Sequence, residues 1–425
     1  MCSVRLDTTL ADLYREHGIK GPFIVTTHCV FGHMDLHPEF PRELMYPEDE
    51  EPVPYSNDKQ EIARLRKVIL GLKPVRRAVG LGDMDVLFFE PNVTATGMER
   101  ALNQLPPEQR HRPRFIDLEG GQVFEKLLDL TKGQKLHFWR PQAWMKDHEC
   151  LVDPQLAYDI NSKEYLITSG IRTPPSTLMP LDEASLATLD EHPLPFVIKL
   201  CRAGCGFGTF IVTTEQRRLE TRSALILLQQ RGVRNFILSA YVDLVEDLSV
   251  HFVVGPDNRE DPHIVGVTVQ TLTATGKWTG GYIDYSAQER LHDYVRATVS
   301  DTTARLPKEF VGWAGVDIVV DKDGEQWVVD LNARFTGSMP ICFMSGHFLK
   351  DRGLPLAQFG AFEYSGGVED VYDLLGELVK SGEAIVTATA VIDPGQNMAD
   401  IAWGGKNASD LERRLNLIRS RLARV

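Results

Sequence analysis

The sequence predicts an α/β protein, an N-terminal α/β domain followed by a strand-rich region of hairpins. Three observations carry this. The first 150 residues hold short apolar runs, FIVTT (23–27), VLFFE (86–90), RFIDL (114–118) and KLHFW (135–139), separated by polar connectors with Pro and Gly. Further on, FVIKL (196–200), TFIVT (209–213), FILSAYV (236–242), LSVHFVV (248–254), HIVGVTVQTL (263–272), GVDIVVD (315–321) and EQWVVDL (325–331) follow one another as strands. A chain of 425 residues with 43% hydrophobic content can also bury more than one core, so two or three domains are expected.

In the first domain the apolar spacing predicts helices over KQEIARLRKVILGL (59–72) and QVFEKLLDLTKG (122–133). The acidic, Pro-bearing stretch YPEDEEPVPYSND (46–58) cannot pack easily and reads as an exposed loop. Helices are expected at 155–169, 215–231, about 287–304 and 368–380. A strand AIVTATAVI (384–392) and an amphipathic closing helix (408–424) complete the chain. There is no internal repeat and no low-complexity tract.

Composition excludes some functions. A net charge of -13 argues against a surface that tracks a phosphate backbone, so nucleic acid is not an expected partner. Six scattered cysteines do not make a disulfide framework, and the start MCSVRLDTTLADLYREHG lacks a secretory pattern. No stretch approaches the ~20 apolar residues of a spanning helix. The expectation is a cytoplasmic protein with no membrane contact, in which the sequons at Asn92 and Asn407 are incidental.

The hairpin GVDIVVDKDGEQWVVDLNARFTGS (315–338) carries the strongest chemical signal. Its D-K-D-G turn sets the register: a two-residue loop puts Asp317 opposite Val328, and a four-residue loop puts it opposite Asp330. Either way Asp317, Asp330 and Asn332 share one face. Two carboxylates and an amide on adjacent strands would repel and be poorly solvated unless a cation lay between them, and hard oxygen ligands shared with phosphates describe magnesium. Arg334 lies two residues further along that face. The plainer alternative is the solvated side of an antiparallel hairpin, which describes Asp321 and Asp323.

In PFVIKLCRAGCGFGTFIV (195–212), Lys199 sits mid-strand among apolar residues and needs a partner. The turn that follows carries Gly204, Gly206 and Gly208, whose backbone N–H groups can approach phosphates. It leads from strand to strand, so it is neither a dinucleotide fingerprint nor a Walker A box. DINSKEYLITSGIRTPPS (159–176) places Lys163 on a helix that stops at Gly170. In FILSAYVDLVEDLSVHFVV, backbone groups at 239–242 (Ser239, Tyr241, Val242) could read an adenine edge, and Asp247 or Glu246 could accept from ribose hydroxyls.

Taken in order, these features resemble the ATP-grasp superfamily and its carboxylate–amine (or carboxylate–thiol) ligases, over roughly residues 150–345. The resemblance implies an α+β fold with the nucleotide between two antiparallel sheets. It assigns 1–150 to an N-terminal α/β domain, 151–242 and 243–350 to two ATP-grasp subdomains, and 351–425 to a segment packed on that core. It makes Lys163, Lys199 and the glycines 204, 206 and 208 phosphate ligands, and Ser239, Tyr241, Val242 and Asp247 base and ribose contacts. Asp317, Asp330 and Asn332 become magnesium ligands, with manganese as a substitute. Asp330 stands where glutamate is commoner in the family, a shorter reach.

The implied reaction converts a small-molecule carboxylate to an acyl phosphate with ATP and couples it to an amine, giving ADP and phosphate. Arg334 and Lys199 would be the catalytic cations. QTLTATGKWTGGYIDYS (270–286) looks like the family's hairpin over the acyl site, with Gly280 and Gly281 allowing close approach. Homodimers are common in that family. The alternatives from other classes are an ATP-binding regulatory module and a small-molecule kinase of the same fold. His28, Cys29, His33 and His37 match no familiar zinc spacing and read as a cleft loop or solvated histidines. Cys201 and Cys205 read as small packing residues, and His251 as a satisfied interior histidine.

Overall fold

The computed structural model describes residues 3–26, 42–44, 46, 59–91, 93–203, 208–272 and 278–423. The first unit runs α1 (Leu10–Glu16), β1 (Phe23–Thr26), α2 (Lys59–Ala78), β2 (Asp85–Glu90), α3 (Ala95–Leu102), β3 (Arg112–Asp117), α4 (Val123–Thr131) and β4 (Lys135–Phe138). The strands form a parallel sheet in the order β3-β2-β1-β4. Burial on both faces explains the unbroken apolar runs of β1 and β2. A capping box between Thr9 and Asp12 starts α1. The long α2 crosses to the other end of the chain, where Arg76 meets the buried Asp400 at 2.8 Å.

The second unit comprises α5 (Pro154–Ile160), α6 (Lys163–Thr168), β5 (Ser176–Pro180), α7 (Glu183–Glu191), β6 (Phe196–Leu200), β7 (Thr209–Val212), α8 (Glu215–Gln230) and β8 (Asn235–Ala240). The expected single helix over 155–169 is two, because Ser162 ends the first and caps the second by accepting from Glu164 N–H at 3.0 Å. The strands make an antiparallel sheet in the order β5-β8-β6-β7. Its core includes Leu186, Leu189, Phe196, Ile198, Leu225 and Phe236. Each such side chain contributes about 2–3 kcal/mol on burial, which holds α7 and α8 on one face and leaves the other to the cleft.

The third unit holds β9 (Leu244–Val254), β10 (His263–Leu272), β11 (Trp278–Asp284), α9 (Gln288–Ala304), β12 (Gly312–Asp321) and β13 (Gln326–Asn332). It continues through β14 (Leu356–Ser365), α10 (Asp370–Leu375), α11 (Glu377–Lys380), β15 (Ala384–Asp393), β16 (Gln396–Gly405) and α12 (Ala408–Leu422). Eight strands form one sheet in the order β13-β12-β9-β10-β11-β14-β16-β15. The C-terminal segment therefore extends the central sheet rather than adding a layer to it. The expected helix over 368–380 breaks at Gly376, whose φ is 54°.

The β12–β13 hairpin departs from both loop lengths weighed above. Asp321 N–H donates to the Glu325 carbonyl, so the loop has three residues, with Gly324 at φ 80°. Three residues alone would set Asp317 opposite Val329. A bulge between Asp317 and Ile318 moves the register, so that Asp317 pairs with Asp330 and Gly315 with Asn332. Val329 is the extra residue, opposite no partner on β12.

Candidate active site

The two antiparallel sheets face each other across an open cleft. One wall comes from the second unit. Lys199 alternates on β6 with the buried Ile198 and Leu200, so it projects from the uncovered face. Lys163, at the first turn of α6, is buried rather than the exposed helical lysine expected of such a position. Its ammonium donates to the Ala203 carbonyl at 2.7 Å.

The facing wall is the hairpin and its neighbour β9. Asp317 and Asp330 meet side by side, and Asp247, two residues before the Ser249 that pairs with Asp317, lines the same cleft. Lys163 Nζ lies 3.3 Å from Asp330. Lys199 crosses the cleft and donates to the Val329 carbonyl at 3.0 Å. The bulge supplies this acceptor, since it takes Val329 out of the ladder with β12.

The electrostatics follow from burial. Desolvation, then the neighbouring Asp330 and Asp247, hold the Asp317 carboxyl up at about 7, although Ser249 and Gln270 hydrogen-bond to it. Burial raises Asp247 to about 6. Burial and the nearby Lys163 charge pull Lys199 down to about 8. The cleft thus sets two buried carboxyls, Asp247 and Asp317, opposite the desolvated Lys199 ammonium.

Residues 174–332 match the family model described as L-aspartate–L-methionine ligase, ATP grasp. The chain has the ATP-grasp fold, and the stretch 174–332 is similar to ligases of that family. Solved structures show the same fold. The N5-carboxyaminoimidazole ribonucleotide synthetase of Thermus thermophilus is 17% identical, with a TM-score of 0.52 over 86% of this chain and 97% of its own. The carboxyaminoimidazole ribonucleotide synthase of Aspergillus clavatus, complexed with ATP, is 13% identical with a TM-score of 0.53, covering 81% and 99%. The L-amino acid ligase of Bacillus licheniformis is 12% identical with a TM-score of 0.51, covering 83% and 94%. No curated protein sequence matches the chain.

Of the residues singled out from the sequence, Lys163, Lys199, Ser239, Tyr241, Val242, Asp247, Asp317 and Asp330 line the one cleft. Glu246, the alternative to Asp247, does not. Ala240 N–H is spent on the Pro175 carbonyl, whereas Tyr241 and Val242 lie beyond the end of β8. Gly208, at φ 68°, closes the base of its loop by accepting from Leu200 N–H at 2.8 Å. Gly204, Cys205 and Gly206 lie outside the described residues, as do Cys2, Asn92, His28, Cys29, His33, His37 and nearly all of 46–58.

Asn332 is half-buried beyond Asp330, and Arg334 lines an adjoining cavity instead of the cleft. Its guanidinium lies over the Trp139 ring, 5.1 Å from the centroid. β10 and β11 form the hairpin expected at 270–286, whose tip (273–277) is outside the described residues. A Cβ on Gly280 would come 2.8 Å from the Phe359 carbonyl of β14, and one on Gly281 2.9 Å from the Val269 carbonyl of β10, so the close approach is by neighbouring strands. His251 is buried and bonded to Thr336 at 3.0 Å and Ser338 at 2.9 Å, a satisfied interior histidine. Cys201 is buried.

Sequence reasoning missed Ser249 and the apolar side chains Val197, Ile211, Val319 and Val329 that line the cleft. Alternation along β6, β7 and β12 was the available signal. Among the described residues no helix is long and apolar enough to cross a membrane, and no three His, Cys, Asp or Glu stand close enough to hold a metal unaided.

Proposed function

We propose that this protein is an ATP-dependent amino acid ligase, which phosphorylates a substrate carboxylate to an acyl phosphate and couples it to an amine, releasing ADP and phosphate. The observation that carries the reading is the convergence of Lys163 and Lys199 on Asp317 and Asp330 across one cleft. The family model's description makes L-aspartate and L-methionine the first substrates to try.

Val197, Ile211 and Val319 would sandwich the adenine, and the backbone of Tyr241 and Val242 would read its edge. Asp247 would accept from the ribose hydroxyls. Lys163 and Lys199 would exchange their present oxygen partners for phosphate oxygens, offsetting the charge that a carboxylate nucleophile meets at the γ-phosphorus. Gly208 anchors the loop whose glycines 204 and 206 would cover the phosphates. Arg334, beyond Asn332, would stabilise negative charge on the tetrahedral intermediate and the leaving phosphate.

The donor set fits magnesium: two carboxylates and the Asn332 amide are hard oxygen ligands, the Asp317 carboxyl is raised by burial and then by the adjacent acid, and phosphate oxygens would complete the shell. When bound, the ion neutralises the triphosphate and fixes its orientation; manganese can take its place. The amine is expected to enter from the side of the β10–β11 hairpin. ADP release should be measured with magnesium, ATP and amino acids offered singly and in pairs. Release that needs a particular acid and yields an amide supports the reading; a stable phosphoester, AMP, or binding without turnover overturns it.

A further inference from the structure

Beside the cleft lies a pocket open to solvent whose wall includes Arg140, Arg202, Arg334, Trp139, Tyr158 and Asn161. Among the described residues no carboxylate lines it. The guanidinium groups of Arg202 and Arg334 bring like charge to one space, a repulsion that an anion between them would relieve. Arg202 lies over the Tyr158 ring at 3.4 Å and also donates to the Tyr158 carbonyl, and Arg334 lies over Trp139. Neither forms an ion pair among the described residues. A guanidinium stacked by its face keeps in-plane N–H groups for a planar anion.

Asn161 adds the opposite polarity. Its Nδ2 donates to the Ala157 carbonyl at 2.8 Å and to the Ala333 carbonyl at 3.4 Å, which settles the orientation of the amide. Its Oδ1 is buried and has no partner among the described residues. An unmet acceptor in a wall of guanidinium donors complements a zwitterion.

Position in the fold supports the same conclusion. Trp139 and Arg140 directly follow β4, and Trp139 N–H donates to the Thr26 carbonyl at the carboxyl end of β1 at 3.1 Å. In the order β3-β2-β1-β4 the chain reverses direction between β1 and β4, and ligands of parallel sheets bind outside the carboxyl ends of the strands there. Arg202 and Arg334 reach the same cavity from the ends of β6 and β13, which carry Lys199 and Asp330.

We propose that this cavity binds the head group of a substrate α-amino acid, its carboxylate held by Arg202 and Arg334 and its ammonium by Asn161 Oδ1. The assignment rests on the amino acid ligase reading and deepens it, because it requires an unblocked amino acid. The test is calorimetric binding to protein saturated with magnesium and ADP. The probes are L-methionine and L-aspartate, their α-amides, and the des-amino analogues 4-(methylthio)butanoate and succinate.

At least one free amino acid should bind about tenfold or more tightly than its α-amide and its des-amino analogue. Arg202→Gln should abolish the preference over the amide, and Asn161→Leu the preference over the des-amino analogue. ADP binding in the same samples reports that each variant is folded. Equal binding of acid and amide to the wild type, preferences unchanged in the variants, or no amino acid binding overturns the site. Turnover of an acid and amine with preferences independent of Arg202 leaves the ligase reading standing without the site. Arg202-dependent binding with no ADP formed from any pair does the reverse.

Discussion

Lys163 and Asp330 form an ion pair at 3.3 Å, with the lysine buried and the carboxylate about a quarter exposed. The pair joins the helix of one lobe to the hairpin of the other. Asp330→Asn leaves the Lys163 ammonium with the Ala203 carbonyl but no counter-charge. The ligand-free protein should lose about 1–2 kcal/mol, a figure discounted for the exposure of Asp330. Calorimetric melting should show a drop of a few degrees, and turnover should fall about 100-fold or more. An unchanged melting temperature would mean that the pair contributes nothing to lobe contact.

Lys199→Met removes the ammonium that reaches the Val329 carbonyl. ATP affinity should weaken about tenfold or more, with Lys199→Arg recovering only part because a planar guanidinium is bulkier than the compact ammonium it replaces. Titration of a fluorescent ATP analogue into each variant measures this. Equal affinity in Lys199→Met would remove Lys199 from the nucleotide site.

Asp317, held up at about 7, must lose a proton before it can serve as a hard ligand. Magnesium affinity in the presence of ADP should therefore rise from about pH 6 to about pH 8 and then level off. The binding heat should vary with the ionisation enthalpy of the buffer. Affinity that ignores pH over this interval would separate Asp317 from the metal.

The same carboxyl governs stability in the absence of ligands. Its folded value lies above the ordinary 3.8, so its contribution is fully present below about pH 3.8 and lost as pH rises through about 7. Asp317→Asn escapes that loss. The variant should melt above the wild type at about pH 8, and the gap should narrow towards about pH 5, even as turnover collapses. A gap that widens on acidification would contradict the raised value.

Gly208 has a φ of 68°, and a Cβ there would come within 2.9 Å of the Leu200 side chain. Gly208→Ala should cost about 1–2 kcal/mol through left-handed strain and crowding. Because Gly208 closes the loop rather than lining the cleft, the variant should lose melting temperature more than it loses ATP affinity. Thermal melts and nucleotide titration, run side by side, distinguish the two.

What the sequence made legible was whatever one strand or one turn decides by itself. Alternation singled out Asp317 and Asp330, which the hairpin does bring together, and the lone lysine of FVIKL required a partner, whereas Arg334, beyond the end of β13, faces an adjoining cavity. The bulge at Val329 was not legible, since it depends on how β12 and β13 pair, and neither strand alone records an extra residue. Ser249 and Gln270 reach Asp317 only because β9 stands between β10 and β12, an order the chain does not follow.

β14 and β16 escaped notice for a different reason. LAQFGAFEYS and QNMADIAWGG carry Ala, Gly and amides that dilute the apolar signal, and their burial comes from neighbouring strands and α12. Helices α1 and α3 are too short to show a period. Asn161 is an ordinary helix end in sequence; only the packing of α5 against the Ala333 carbonyl leaves its oxygen unmet.

The offset that aligns Asp317 with Asp330 is the sum of a three-residue loop and one bulged residue. A chain that dropped Val329 and gained one residue in the turn would present the same pair of acids by different arithmetic. Compensating insertions and deletions could thus drift through this hairpin without disturbing the acid pair. Such a descendant would nevertheless lose the bulged carbonyl that Lys199 now grips, leaving the contact between its lobes to pairs such as Lys163–Asp330 and Val328 N–H on the Arg172 carbonyl.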